Sequence, residues 1–172
     1  MPTLAQRIAR DGALPRAWVE RATDALLRAF AALHEAADDA GPLLVVHADP
    51  SPANLAIDDA GDRAVLLDFD LAWWRDSHPP NDGAFRGTVQ YAAPEVARGE
   101  RPTVESDLYS LGASLLHALT GERPRAGDSF PALLAVAAEE PLVVPAGAPA
   151  QIARLLAFDP AARPASARML LC

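Results

Sequence analysis

The chain has 172 residues, about half of them hydrophobic, with 23 acidic and 15 basic side chains and a formal charge of -8. This is enough for one domain with its own core, and the acidity disfavours nucleic-acid backbones and anionic bilayers as partners. No apolar run is long enough to cross a membrane, the single Cys172 excludes an internal disulfide framework, and the N-terminal stretch lacks a secretory apolar core, so a cytoplasmic protein is expected.

In chain order, residues 3–10 and 17–38 read as helices. Trp18, Ala22, Leu26, Phe30 and Leu33 recur on one face of the second, which Gly41 and Pro42 stop. Leu43 to Val46, Leu55 to Ile57 and Ala64 to Leu67 are short strand-like runs, the last two separated by Asp58-Asp59-Ala60-Gly61-Asp62, a turn composition that predicts a small hairpin. From Asp68 to Pro94 the chain is irregular, with 78–83 as an exposed loop centre. A helix is expected over Ser106 to Leu119, with Ser106 as its cap and Leu108, Leu111, Leu115, Leu116 and Leu119 as its apolar stripe. Shorter helices near 129–139, 148–157 and 165–171 follow, punctuated by prolines, and 142–150 reads as a loop.

Two segments carry candidate chemistry. His47-Ala48-Asp49-Pro50-Ser51-Pro52-Ala53-Asn54 places an aspartate and an asparagine at the ends of a tight loop between two strand-like runs, and Asp68-Phe69-Asp70 lies directly after the apolar run Val65-Leu66-Leu67. Three oxygen-bearing side chains can then converge. Phosphoryl transfer uses such a set: one carboxylate to orient the attacking hydroxyl, and a carboxylate with an amide to hold Mg²⁺ on the phosphates.

His47 to Asn54 resembles the protein-kinase catalytic loop H-R-D-x-x-x-x-N, and Asp68-Phe69-Asp70 resembles D-F-G. Gly87-Thr88-Val89-Gln90-Tyr91-Ala92-Ala93-Pro94-Glu95 resembles the substrate-binding loop that ends in A-P-E, Asp107 to Gly112 the start of the central helix of the same lobe, and Asp159-Pro160-Ala161-Ala162-Arg163-Pro164 the late segment whose arginine pairs with the A-P-E glutamate. Five motifs in order identify the chain as similar to the C-terminal lobe of eukaryotic-type Ser/Thr protein kinases. The resemblance implies a mainly α fold with a small β hairpin, one domain over 1–172. It implies Asp49 as the catalytic aspartate with Ser51 and Thr88 beside it, Asn54 and Asp68 as Mg²⁺ ligands, and Leu55 close to the adenine floor of an ATP site. Glu95, Arg163 and Asp107 would be architectural.

Departures from the pattern carry information of their own. Ala48 stands where the family has the arginine that reads activation-loop phosphorylation, Ser51 where it has a lysine on the transferring phosphate, and Asp70 where it has glycine. A D-F-D ending also occurs in kinase-like small-molecule phosphotransferases, whereas the G-T-x-x-Y-x-A-P-E segment points to the protein-kinase branch. All 15 basic residues are arginine, no Gly-rich loop is present, and only 46 residues precede His47. An N-lobe within these residues is therefore not expected.

Two readings follow. In one, the chain is a phosphotransferase half completed by an N-lobe from a partner, with weak ATP binding and negligible activity alone. In the other, it is a catalytically silent, pseudokinase-like binding or regulatory module in which Asp49, Asn54 and Asp68 serve as scaffold. Under either, an apolar patch around Leu55, Ile57 and Phe69 is expected to face outward and to be covered by a protein partner, a second copy or the chain's own residues 1–16 folded back, with an intermolecular contact favoured. His34, His78 and His117 show no metal or relay spacing and read as packing or surface residues, and of Trp73-Trp74 one ring is expected to pack inward.

Overall fold

The computed structural model describes residues 1–77 and 84–171; the loop centre expected at 78–83 and Cys172 lie outside the described residues. Among the described residues the regular structure is six α-helices, four short 3-10 turns and two small hairpins. Helix α1, Leu4–Asp11, is started by a capping box in which Thr3 and Gln6 exchange side-chain and backbone hydrogen bonds. Helix α2, Arg16–His34, buries Trp18, Ala22, Leu26 and Phe30 as the periodicity predicts. It stops four residues earlier than expected, because the chain turns into a hairpin of β1, Ala37–Asp38, and β2, Gly41–Pro42.

Leu43 to Val46 does not form a strand of a sheet. Leu44 takes a left-handed backbone (φ 54°), and Val46 makes only an isolated antiparallel bridge to Trp73. The second hairpin forms where the sequence places it, with β3, Leu55–Ile57, paired antiparallel to β4, Ala64–Leu66. Its turn is organised by Asp58, whose Oδ1 accepts the N–H groups of Gly61 and Asp62 at 2.8 and 2.9 Å.

After the irregular segment, α3, Pro94–Ala97, leads to α4, Val104–Thr120. The true N-cap of α4 is Thr103, one turn before the expected Ser106; Ser106 is the third helical residue and completes a capping box with Thr103. Buried on nearly every side from Ser106 to Leu116, α4 is the axis of the fold rather than a surface helix with one stripe. Gly112 sets its distance from α6, Ala150–Leu155: a Cβ there would lie 2.8 Å from the Leu155 Cβ. Overpacking of that kind typically costs about 1–3 kcal/mol, which outweighs the helix propensity of about 1 kcal/mol that alanine would add. Gly121 ends α4 in the left-handed conformation.

Helix α5, Phe130–Glu139, is capped by Ser129. The helix expected at 165–171 is only a short 3-10 turn, Ala167–Leu170, packed on α2. One core joins α1, α2, β3, α4 and α6, and a small satellite of Val89, Ala97, Leu133 and Ala137 lies under α5.

The outward patch departs from expectation. Leu55 and Ile57 are fully buried in the main core, because β3 is covered by α1 and bridged at Ala56 by Thr3, with the Ile57 N–H donating to the Pro2 carbonyl. The apolar side chains that do face outward lie on β4 and its continuation: Val65, Leu67 and Phe69, the last 45% exposed. As expected, Trp73 is the inward tryptophan, its indole nitrogen buried and its ring under the Arg101 guanidinium, while Trp74 is exposed.

Candidate active site

The central helix builds the site from below. Asp107 sits in the first turn of α4 with its carboxylate fully buried, and it accepts the backbone N–H groups of His47 and Ala48 at 2.7 and 2.9 Å. His34 Nε2 donates to the same carboxylate at 3.0 Å, which fastens the end of α2 to the same point. Two turns along the same face of α4, the Ser114 hydroxyl donates to the Pro50 carbonyl at 2.8 Å. The loop is thus held at its start and its middle. Ala48 adopts a left-handed backbone (φ 69°) under these two contacts, and the chain then presents Asp49 toward the surface.

His47 links this loop to the second hairpin. Its Nε2 donates to the Leu67 carbonyl at 3.0 Å, so that Nδ1 remains an acceptor for the Asp49 N–H at 3.4 Å. With both ring nitrogens committed to backbone, His47 positions and does not act as a base. Its ring also packs 4.9 Å from that of Phe69.

Asp49 is the hub. Oδ1 accepts the Thr88 N–H at 3.0 Å, and Oδ2 accepts the Thr88 hydroxyl at 3.1 Å and the Asn54 amide at 3.3 Å. The Asn54 amide also donates to the Asp49 carbonyl at 3.0 Å. Burial pushes the Asp49 carboxyl above its ordinary range; the two Thr88 hydrogen bonds and His47 oppose this, and the nearby Asp68 carboxylate adds to it. Asp49, Thr88 and Asn54 are therefore brought together.

Asn54 and Asp68 emerge from the same end of the β3–β4 hairpin, where the Leu67 N–H donates to the Asn54 carbonyl at 2.9 Å. Asp68 is exposed and left-handed (φ 59°), and its Oδ1 accepts the Asp70 N–H at 3.2 Å. Asn54 spends its N–H groups on Asp49, which turns its Oδ1 away as an unused acceptor. One free amide oxygen and one free carboxylate oxygen at the same hairpin end are hard donors of the kind Mg²⁺ takes, with water and phosphate oxygens completing its shell. Among the described residues no cluster of three or more His, Cys, Asp or Glu side chains offers a self-sufficient metal cage.

Ser51 and Leu55 stand differently. Ser51 is 3% exposed and is tied into the turn by its backbone, its N–H donating to the Asp49 carbonyl at 2.8 Å and its carbonyl accepting from Asn54 at 2.9 Å. Leu55 lies beneath the hairpin with no exposed surface.

Several contributors escaped the sequence reading. Arg75 donates to Asp38 at 2.9 Å and to the carbonyls of Gly41 and Pro42, clamping the segment after Asp68 onto the first hairpin. Arg125, buried, donates to the Ala92 carbonyl at 2.8 Å and to the Tyr109 hydroxyl at 2.7 Å, holding the loop before α3. Burial lowers its pKa from the ordinary arginine value. Neither had a sequence signal, since each acts in part on backbone carbonyls and its side-chain partner is distant in the chain. Ser114 had one: a polar residue seven positions after Asp107, two turns along the same helix face.

The protein kinase domain family matches residues 1–170. The chain is 37% identical over 142 residues to the serine/threonine-protein kinase PknK of Mycobacterium tuberculosis, covering 77% of the chain and 12% of that protein. It is 32% identical over 167 residues to the serine/threonine-protein kinase drp72 of Corynebacterium efficiens, covering 94% of the chain and 31% of the relative. With PknB of Mycobacterium tuberculosis it shares 40% identity over 88 residues, 49% of the chain and 14% of that protein. The chain thus spans less than a third of the length of these relatives. With the hairpin and the loop His47 to Asn54 where the motifs place them, the chain belongs to the protein kinase domain family.

Proposed function

We propose that these residues form the substrate-binding and metal-binding half of a Ser/Thr protein kinase, transferring the γ-phosphoryl group of ATP to a protein hydroxyl. The observation that carries this is the Asp49 carboxylate, raised by burial, braced by Thr88 and Asn54, and next to the free oxygens of Asn54 and Asp68. Asp49 orients the attacking hydroxyl and receives its proton, while Asn54 and Asp68 would hold Mg²⁺, whose charge offsets that of the phosphates. The groups that cover the phosphates, a Gly-rich loop and a lysine, are not among these 172 residues. They would come from outside them, seated on Val65, Leu67 and Phe69, a surface continuous with Asp68.

The test uses the chain mixed with the N-lobe of a Ser/Thr kinase, radiolabelled ATP and a generic protein substrate. Asp49→Asn is expected to lower transfer by about 10²–10⁴-fold, the usual contribution of a positioned base. A carboxyl whose pKa is raised on folding favours the fold below its unfolded pKa, and that contribution is lost as pH rises through the folded value. The Tm of the parent should therefore fall more steeply between acid and pH 7 than that of Asp49→Asn, which does not titrate but lacks one of the acceptor oxygens that Thr88 and Asn54 use. Transfer unaffected by Asp49→Asn removes the assignment. Phe69→Glu is expected to weaken binding of the added lobe by about tenfold, near 1.4 kcal/mol, while leaving the circular dichroism spectrum unchanged; unchanged binding would place the lobe elsewhere.

The second reading, a silent binding module, is favoured by Ser51. It is buried, where an active relative would direct a lysine at the phosphate. Zero transfer in the presence of a bound N-lobe would select it.

A further inference from the structure

A groove of about 500 Å³ runs from Thr88, the hydrogen-bond partner of Asp49, between the apolar face of α1 and the end of α4. One wall is Ala5, Ile8 and Ala9, and the floor is Ser51, Pro52 and Ala53 of the catalytic loop. On the far wall lie Tyr91, His117 and Arg123. The Tyr91 hydroxyl and His117 Nδ1 are 2.8 Å apart. Burial lowers the His117 pKa, with Arg123 adding to it, so the ring is neutral at pH 7, the hydroxyl is the donor and Nε2–H remains available as a second donor. Arg123 is exposed, and among the described residues no carboxylate pairs with it. No Asp or Glu lines the groove. The charged side chain on its walls is therefore the Arg123 guanidinium, which has no ion-pair partner among the described residues although Glu122 and Glu140 border its other side, and it stands beside an imidazole that donates, on a protein whose net charge is -8.

We infer that this groove selects an acidic peptide, one whose phosphoacceptor Ser or Thr lies at Thr88 and Asp49 and whose flanking Asp or Glu reaches Arg123 and His117. The inference rests on the reading of Asp49 as the transfer site and adds the substrate class. A carboxylate is the one common side chain that satisfies both donors at once, and Arg with a carboxylate forms the stronger, charge-assisted hydrogen bond. A basic side chain at the Arg123 end meets repulsion. The overall negative charge slows the approach of an acidic peptide, but screening at physiological ionic strength confines that effect to within about 8 Å, whereas the Arg123 contact is direct.

Three short fluorescent peptides with a central serine, flanked by Glu, by Gln or by Lys, test this by anisotropy on the full chain. Binding of the Glu peptide is expected to be about tenfold tighter than that of the Gln peptide, with the Lys peptide weakest. Arg123→Glu should abolish or reverse the order. Arg154→Glu, the same charge change on α6, should leave it intact. Equal binding of the Glu and Gln peptides, an order unaltered by Arg123→Glu, an order lost equally with Arg154→Glu, or no binding of any peptide overturns the inference. Acidic peptide that binds through Arg123 but is never phosphorylated leaves the charge selection standing and removes the phosphotransfer reading. Phosphorylation with no charge preference does the reverse.

Discussion

Asp107→Ala is expected to lower Tm by roughly 6–20 °C. The Asp107 carboxylate has no exposed surface, and it is the acceptor for the N–H groups of His47 and Ala48 and for His34 Nε2, at 2.7, 2.9 and 3.0 Å. Alanine leaves two backbone donors and an imidazole N–H buried without a partner. Each such orphan costs about 1–3 kcal/mol, and removing one side of a buried charged contact about 3–5 kcal/mol, so the net loss lies near the latter range after the three contacts are treated as one unit. In a domain of this size 1 kcal/mol shifts Tm by roughly 2–4 °C. The catalytic loop suffers with the fold: Ala48 holds a left-handed backbone that these hydrogen bonds stabilise, and Asp49 follows it directly. Asp107→Asn keeps one acceptor oxygen and should fall between the parent and alanine. Thermal unfolding followed by circular dichroism reads the series, and an alanine variant within about 2 °C of the parent would show that Asp107 is not the anchor.

The contrast between Asp107 and Leu55 shows what the amino-acid sequence could and could not convey. Asp107 was identifiable because its motif requires a particular chemistry at a particular turn of a helix, and the structure places it under the catalytic loop as the motif implies. The helices α1, α2, α4 and α5 were likewise readable, since apolar spacing and caps are local signals; only their ends moved, at His34 and Thr103. Leu55 and Ile57 were expected at the surface, and they are buried because Pro2 and Thr3 close over β3, a pairing between residues more than fifty positions apart that leaves no local trace. The left-handed Leu44 broke an apolar run that composition alone reads as a strand. Arg75 and Arg125 were invisible for a related reason. Part of what each holds is main-chain carbonyls, which every residue supplies, and the side chains at the other end, Asp38 and Tyr109, are set by the fold and not by a spacing in the chain.

Arg163→Met alone is expected to destabilise the chain by about 3–5 kcal/mol, and Arg163→Met combined with Glu95→Leu by less than Arg163→Met alone. Arg163 has no exposed side-chain surface, and every N–H of its guanidinium is used. Two go to Glu95, at 2.6 and 2.9 Å, and three to the carbonyls of Ala157, Glu105 and Phe158, at 2.7, 3.1 and 3.1 Å. The guanidinium also lies 4.7 Å from the centre of the Tyr109 ring. Arg163→Met strands a buried carboxylate, Glu95→Leu strands a buried cation, and the pair together strands only carbonyls that can accept water or shift. Removing the second charge should therefore recover part of what the first removal lost, a coupling of more than 1 kcal/mol in urea denaturation at pH 7. The pair also fixes the site: Glu95 lies in α3, directly after the segment that carries Thr88 to Asp49, so a single variant that still folds should lose the Thr88 contact first. Losses that simply add would mean that Glu95 and Arg163 support the fold independently.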